Sequence, residues 1–164
     1  MRRLLLLDAD VVIDLHSLNL FNKIRKSYHL HVTRKVLEEA KYYKIGSDRI
    51  PIEISQKVTI VENVDVDSLR VVQAEAREAE LCVDQGEATS IAYLLQSEGD
   101  VTICLCDKAA IKLIAYMELE DRSISLQNAL QNAGHHSKLY PRHLESTFKE
   151  SVKDGKALRV QKLI

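Results

Sequence analysis

Four stretches of this chain set acidic side chains beside apolar runs, where a carboxylate is costly to bury. Asp8 and Asp10 follow residues 4–7, four consecutive leucines. Glu38 and Glu39 sit in the segment after residues 29–32, His-Leu-His-Val, Asp84 and Glu87 stand three apart, and Asp107 follows residues 101–105 after one residue. A carboxylate next to a buried strand loses hydration, and it is kept there because it caps a helix or binds something. Capping accounts for Asp8, Asp10, Asp84 or Asp107 taken singly. Four or five converging acids are different, because like charges raise one another's pKa and a divalent cation removes that penalty. Hard oxygen ligands suit Mg²⁺ or Mn²⁺, which keep several waters and also bind phosphate oxygens. Such a cation can acidify water for attack on a phosphodiester and stabilise the leaving oxygen.

The elements that must position these acids follow from hydrophobic pattern and capping. Residues 4–7 read as a short buried strand, 11–16 as a helical turn or two, 18–28 as a second helix and 29–32 as a second strand. Thr33 suits the N-cap of a helix running to about Tyr43. Residues 44–57, with Gly46, Ser47, Asp48 and Pro51, read as irregular, and 58–61 as a strand. Asp67 or Ser68 is expected to cap a helix reaching Leu81, and Asp84 one from Gln85 to about Ser97. After a turn at Gly99 and Asp100 come a strand at 101–105, a helix from Lys108 to about Leu119, a last strand at 123–126 and a helix at 127–133 closed by Gly134. Pro141 is expected to start a terminal helix to about Asp154, with the last ten residues adding a strand or packing down. Strands alternating with helices predict an α/β fold: a mostly parallel sheet of four or five strands in a three-layer α/β/α arrangement. In such sheets function gathers at the carboxyl ends of the strands, where these acids fall.

Bulk properties narrow the class. A chain of 164 residues suits one domain and can bury a core without disulfides. Its three cysteines, Cys82, Cys104 and Cys106, form no framework, which points to a reducing, cytoplasmic setting. Cys104 and Cys106 share a strand face and read as small buried hydrophobes. No run approaches the ~20 apolar residues of a membrane span, and the start of the chain is too short in its apolar part for a signal peptide. The net charge of −1 announces no nucleic-acid partner, yet its placement is uneven. Residues 19–49 carry eight Lys/Arg against three Asp/Glu, 62–98 two against nine, and 138–162 seven against three. Basic stretches around an acidic middle suit a phosphate backbone, and they equally suit solvated helix faces. Tyr42 and Tyr43, between Lys41 and Lys44, read as packing residues, with stacking on RNA bases as the alternative. His135 and His136 read as polar loop. No residue is assigned to RNA binding.

Taken in order, four segments resemble the PIN-domain ribonucleases: Leu-Leu-Leu-Asp8-Ala-Asp10-Val-Val-Ile, Val32-Thr-Arg-Lys-Val36-Leu-Glu38-Glu39-Ala40, Asp84-Gln-Gly86-Glu87-Ala-Thr-Ser-Ile-Ala92, and Val101-Thr-Ile-Cys-Leu-Cys-Asp107-Lys. Each segment alone is a weak signal; their order and spacing are fairly specific. The resemblance covers about residues 3–135, as the core of a single domain spanning 1–164, with 136–164 as a helical C-terminal extension. It implies an Mg²⁺- or Mn²⁺-dependent endoribonuclease with Asp8, Glu39, Glu87 and Asp107 as catalytic acids, of which Asp8, Glu87 and Asp107 hold the metal. Glu38 is the fallback for Glu39. Asp10 stands where the family often has Asn and would add a ligand or hold a water, and Asp84 reads as the helix cap, with a secondary place in the site as the alternative. Many small members are toxins of toxin–antitoxin pairs, so the resemblance further implies an RNA substrate, a cognate antitoxin protein, a homodimer, a cytoplasmic location and no membrane partner. Two departures stand out: Asp10 adds negative charge, and Lys108 and Ala109 follow Asp107 where polar or acidic residues are common.

Two rivals remain open. Asp8-Ala9-Asp10-Val11-Val12 also fits the opening of haloacid-dehalogenase-like phosphatases, with Asp8 as nucleophile and Asp10 as acid/base. That reading leaves Glu39 and Glu87 without a task. The other rival is a PIN-fold interaction module that has lost metal binding and catalysis.

Overall fold

The computed structural model describes residues 2–164. Five strands form one sheet: β1 (Arg3–Leu7), β2 (Tyr28–Thr33), β5 (Thr59–Val61), β6 (Val101–Cys104) and β7 (Ser123–Ile124). Their spatial order is β5-β2-β1-β6-β7, and every pairing is parallel. Two further strands, β3 (Tyr42–Ile45) and β4 (Asp48–Pro51), make a separate antiparallel hairpin. The helices are α1 (Ala9–Ser17), α2 (Phe21–Ser27), α3 (Arg34–Glu39), α4 (Val66–Glu78), α5 (Gln85–Gln96), α6 (Lys108–Tyr116), α7 (Leu126–Asn132) and α8 (Glu145–Lys162).

Alternation along the central strands builds two cores, one on each face. Leu5 and Leu7 of β1, with Cys104 and Cys106, pack against Val11 and Leu15 of α1, Phe21 and Ile24 of α2, Val36 of α3 and Leu126 and Leu130 of α7. Leu6 and Ile103 point the other way, into Val72 and Ala76 of α4, Ile91 of α5, Ile111 and Ile114 of α6 and Phe148 of α8. Residues two apart on a strand share a face, which is why four successive leucines serve both layers. The expected three-layer α/β/α fold with a mostly parallel sheet is what the chain forms. No helix among the described residues is long and apolar enough to cross a membrane.

Several local expectations need correction. The helix after β2 stops at Glu39 instead of reaching Tyr43, because Ala40 leaves helical geometry at φ −86 and ψ 63. Tyr42, Tyr43 and Ile45 then pair as a strand, as aromatic and branched residues favour. The segment read as irregular supplies the second hairpin strand, and Gly46 takes the positive φ of +60 that a two-residue hairpin turn with glycine first requires. Helix α4 is capped by Asp65, neither Asp67 nor Ser68: the Asp65 carboxylate accepts from the Ser68 amide at 3.4 Å and from its hydroxyl at 3.0 Å. Pro141 opens only a single 3-10 turn, Pro141–His143, and Leu144 returns to extended backbone. The terminal helix begins at Glu145 and continues to Lys162, so the last residues extend a helix and add no strand.

Helix α8 lies tightly on α6. Gly155 is buried there, and a Cβ in its place would run into the Lys112 carbonyl oxygen and come within 2.8 Å of the Ala115 side chain.

Candidate active site

Strand order reverses between β1 and β6, and in parallel sheets the crevice at such a switch point lies beyond the carboxyl ends of the strands. Asp8 stands at that position. Its amide donates to the Cys104 carbonyl at 3.3 Å, extending the β1–β6 pairing by one step, and it serves as the N-cap position of α1. Its side chain makes no capping bond. The residue is 2% exposed, and Oδ1 has no hydrogen-bond partner among the described residues. Capping therefore does not account for this carboxylate.

The other acids arrive from three directions. Asp107 ends the segment after β6 and caps α6, accepting from the Ala110 amide at 3.0 Å. Asp84 and Glu87 form a reciprocal capping box at the start of α5: the Glu87 amide donates to Asp84 at 2.8 Å, and the Asp84 amide donates to Glu87 Oε2 at 2.9 Å. That bond fixes the otherwise flexible Glu87 side chain, which is buried. Thr33 caps α3 as expected, accepting from Val36 at 3.2 Å, and the short helix delivers Glu39 to Gly86. A Cβ at Gly86 would overlap the Glu39 carboxylate, and the Gly86 amide donates to it.

These acids share one electrostatic neighbourhood. Burial, above all, pushes the Asp8 carboxyl up to about 7; a backbone hydrogen bond from Ala9 opposes this, while Asp10, Asp84 and Glu39 add to it. Burial likewise pushes Glu87 up to about 8, opposed by the Asp84 amide and reinforced by Asp107, Asp8 and Asp84. Asp10 is raised by burial first and then by Asp14, Asp84 and Asp107. Glu39 is raised by burial, Asp84 and Asp10, with Lys35 acting against them. Asp8, Asp10, Glu39, Asp84, Glu87 and Asp107 are thus brought together. Glu38 is not: it adds to the field on Arg34, on the outer side of α3. Gathered at the sheet's edge, these carboxyls offer hard oxygen donors of the kind Mg²⁺ or Mn²⁺ takes, although among the described residues no three of their ligand atoms lie within 4.8 Å of one another.

A second cluster adjoins the first and was not anticipated. Asp14, Cys106 and His143 each offer a ligand atom, all within 4.8 Å of one another, and all three residues are buried. This composition could suit a soft cation, but the carboxylate is already engaged. Arg142 donates to Asp14 through Nε at 2.8 Å and Nη2 at 2.7 Å, and His143 Nε2 lies 2.7 Å from Asp14 Oδ2. Burial opposes the charge on Asp14, yet these partners together hold its carboxyl below the ordinary range. The Cys106 thiol is driven up by burial and by Asp10, Asp14, Cys104 and Asp8, and so remains protonated. The cluster is a neutralised latch between α1 and the Pro141–His143 turn. Asp10 and Asp14, four apart on α1, carried a legible signal; the pairing with Arg142, 128 residues away, did not.

Cys104 and Cys106 are buried free thiols beside these acids, and Cys82 is an exposed one. His135 and His136 sit in the loop after α7. Tyr42 lies under Arg49 in a cation–π contact at 4.8 Å on the hairpin, and Tyr43 rests 5.7 Å from the His16 ring. Compared with family models, curated proteins and solved structures, the chain matches none.

Proposed function

We propose that this chain is a divalent-cation-dependent endoribonuclease of the PIN-domain kind. The observation that carries the reading is Asp8: a carboxylate 2% exposed, with an unpartnered oxygen, among five other acids. An orphaned buried carboxylate oxygen is costly, and a bound cation relieves both that cost and the mutual repulsion. Asp8, Glu87 and Asp107 would hold the cation, with Asp10 and Glu39 at its margin. When bound, Mg²⁺ or Mn²⁺ supplies Lewis acidity toward water and toward the leaving oxygen. The protein's own groups fix the geometry. The Asp84 amide orients Glu87, Asp107 is held by its cap, and the Gly86 amide orients Glu39. Glu39 is exposed, and would be placed to accept a proton.

The presence of Glu39 and Glu87 in the same neighbourhood as Asp8 favours this reading over a phosphatase using Asp8 and Asp10. RNA as substrate, a cognate antitoxin, a homodimer and a cytoplasmic site of action belong to the same proposal, and rest on the resemblance of the four acid-bearing segments.

The test is cleavage of RNA by the full chain with Mg²⁺, Mn²⁺ or EDTA, for the wild type, Asp8→Asn and Glu87→Gln. A loss of about 10²-fold or more in both variants is expected, the scale of transition-state stabilisation by a preorganised charge. Activity toward phosphate esters that survives Glu87→Gln and is lost in Asp8→Asn would favour the phosphatase. A calorimetric titration showing no Mn²⁺ binding at millimolar concentration would leave an interaction module.

A further inference from the structure

Arg142 is a cation built into the border of the acidic site. Asp10 and Asp14 stand one helical turn apart on the same face of α1, and the Arg142 guanidinium lies on Asp14. Its orientation is fixed by two groups, one of them anchored in turn to α1. Nε and Nη2 make a forked pair with the buried Asp14 carboxylate, the Tyr140 ring lies 4.7 Å from the guanidinium carbon, and the Tyr140 hydroxyl is 3.4 Å from Ser17 Oγ at the end of α1. Neighbouring His143, 1% exposed, is held by the same Asp14. An arginine used only as a surface ion pair would not receive this support.

The engaged edge of the guanidinium is the Nε–Nη2 side. Nη1 has no hydrogen-bond partner among the described residues, and the side chain remains 49% exposed. The free Nη1–Nη2 end presents the fork that matches two phosphate oxygens. Asp10 feels Arg142 directly, so this fork borders the acids. Lys35 in turn acts on Glu39. A nucleic-acid strand crossing the acids would thus meet cations as well as carboxylates.

We propose that Arg142, held by Asp14 and Tyr140, binds a backbone phosphate of a single-stranded nucleic acid at the border of the acidic cluster. This rests on the nuclease reading, but it makes a separate claim about strand binding. The latch also explains why the C-terminal extension follows the core: its first turn supplies the guanidinium.

The experiment measures binding apart from cleavage. The probe is a 5′-fluorescein 12-nucleotide 2′-O-methyl RNA, followed by fluorescence anisotropy with the full chain in Ca²⁺ at several salt concentrations. Arg142→Gln is expected to raise Kd about tenfold, as loss of a charge-assisted fork does, and to flatten the log Kd against log salt slope by about 0.7, one phosphate contact on a single strand. Arg142→Lys keeps the charge and one bond to Asp14; an increase of about threefold is expected, and it decides the matter should Arg142→Gln fail to fold. Arg70→Gln, an exposed base on α4, is expected to leave Kd within about twofold. The proposal is overturned by unchanged Kd and salt slope in folded Arg142 variants, by an equal loss in Arg70→Gln, or by a wild type that does not bind the probe. A wild type that binds the probe through Arg142 but cleaves no RNA would remove the nuclease reading and leave this one standing. Cleavage of RNA with an Arg142-independent Kd would do the reverse.

Discussion

The Glu39 carboxylate occupies the space beside Gly86 that a Cβ would fill, and it accepts a hydrogen bond from the Gly86 amide. Gly86 lies in the first turn of α5, one residue before Glu87, so the absence of a side chain at one position lets two acids from distant segments approach.

Gly86→Ala separates this packing from any need for glycine in the helix. Alanine is the better helix former by roughly 0.5–1 kcal/mol in an interior position, and the atom it would meet is the far end of a flexible side chain. The variant is expected to fold with unchanged or slightly higher Tm while Glu39 is displaced. Loss of a supporting group beside a metal site costs about 10- to 100-fold, so cleavage and Mn²⁺ affinity should fall by at least the lower figure. Calorimetry and a thermal melt on the same sample check both halves. Wild-type affinity for Mn²⁺ with reduced cleavage would assign Glu39 to the reaction and not to the cation.

The parallel sheet, its two faces and the acids at its carboxyl edge were legible because each rests on a local rule. Leucines in an unbroken run mark a strand covered on both sides, and Asp84 three residues before Glu87 marks a capped helix. Glu39 was set ahead of Glu38 only by the family resemblance. What could not be read depended on tertiary placement. The α3 helix could continue through Lys41 by propensity, but Tyr42, Tyr43 and Ile45 have pairing partners across Gly46, and the hairpin prevails. Pro141 is a sound helix-start signal, yet Asp14 draws Arg142 and His143 out of line and delays the helix to Glu145. That bond spans most of the chain and leaves no trace in local pattern.

Glu87→Gln tests the dual role of that residue. Glutamine can still accept from the Asp84 amide, so the capping box is preserved. The wild-type carboxyl, raised to about 8, must be charged above that pH despite burial and three acidic neighbours. The amide escapes that cost. In EDTA the variant is expected to match the wild type near pH 5 and to exceed it near pH 9 by more than about 1 kcal/mol, roughly 2–4 °C in Tm for a chain of this size. Addition of Mn²⁺ should reverse the order, stabilising the wild type alone. A variant destabilised at every pH would mean that Glu87 serves the helix terminus only.

Gly155→Ala examines whether α8 is integral to the fold. An added methyl would press on the Lys112 carbonyl and the Ala115 side chain. Backbone cannot yield as a side chain can, and overpacking of this kind costs about 1–3 kcal/mol. The gain in helix propensity recovers only part of it. A drop in the urea midpoint at unchanged m-value is expected, with Mn²⁺ affinity preserved because the acids lie on other elements. An unchanged midpoint would show that α8 can shift on α6 without loss.

The pH dependence of the metal-free protein follows from the two elevated carboxyls and from Asp14. Asp8 and Glu87 have folded values near 7 and 8, above their ordinary values of 3.8 and 4.5. Between these limits the folded state binds more protons than the unfolded state, so stability declines as pH rises through that interval. Asp14 behaves oppositely: with its carboxyl held below the ordinary value by His143 and Arg142, its contribution is present above that value and lost as the pH falls through the folded one. These groups therefore place the maximum stability of the metal-free chain at or below about pH 4, with Tm falling from there toward pH 8 in EDTA. A divalent cation must displace the protons on Asp8 and Glu87 to bind, so Mn²⁺ affinity should climb steeply from about pH 6 to pH 8, with proton release detectable as buffer-dependent binding enthalpy. Melting curves in EDTA and calorimetry in two buffers measure these trends. A Tm that rises between pH 5 and 8 without metal, or Mn²⁺ affinity that is flat with pH, would mean that Asp8 and Glu87 are already ionised and that repulsion among the acids is relieved by other means.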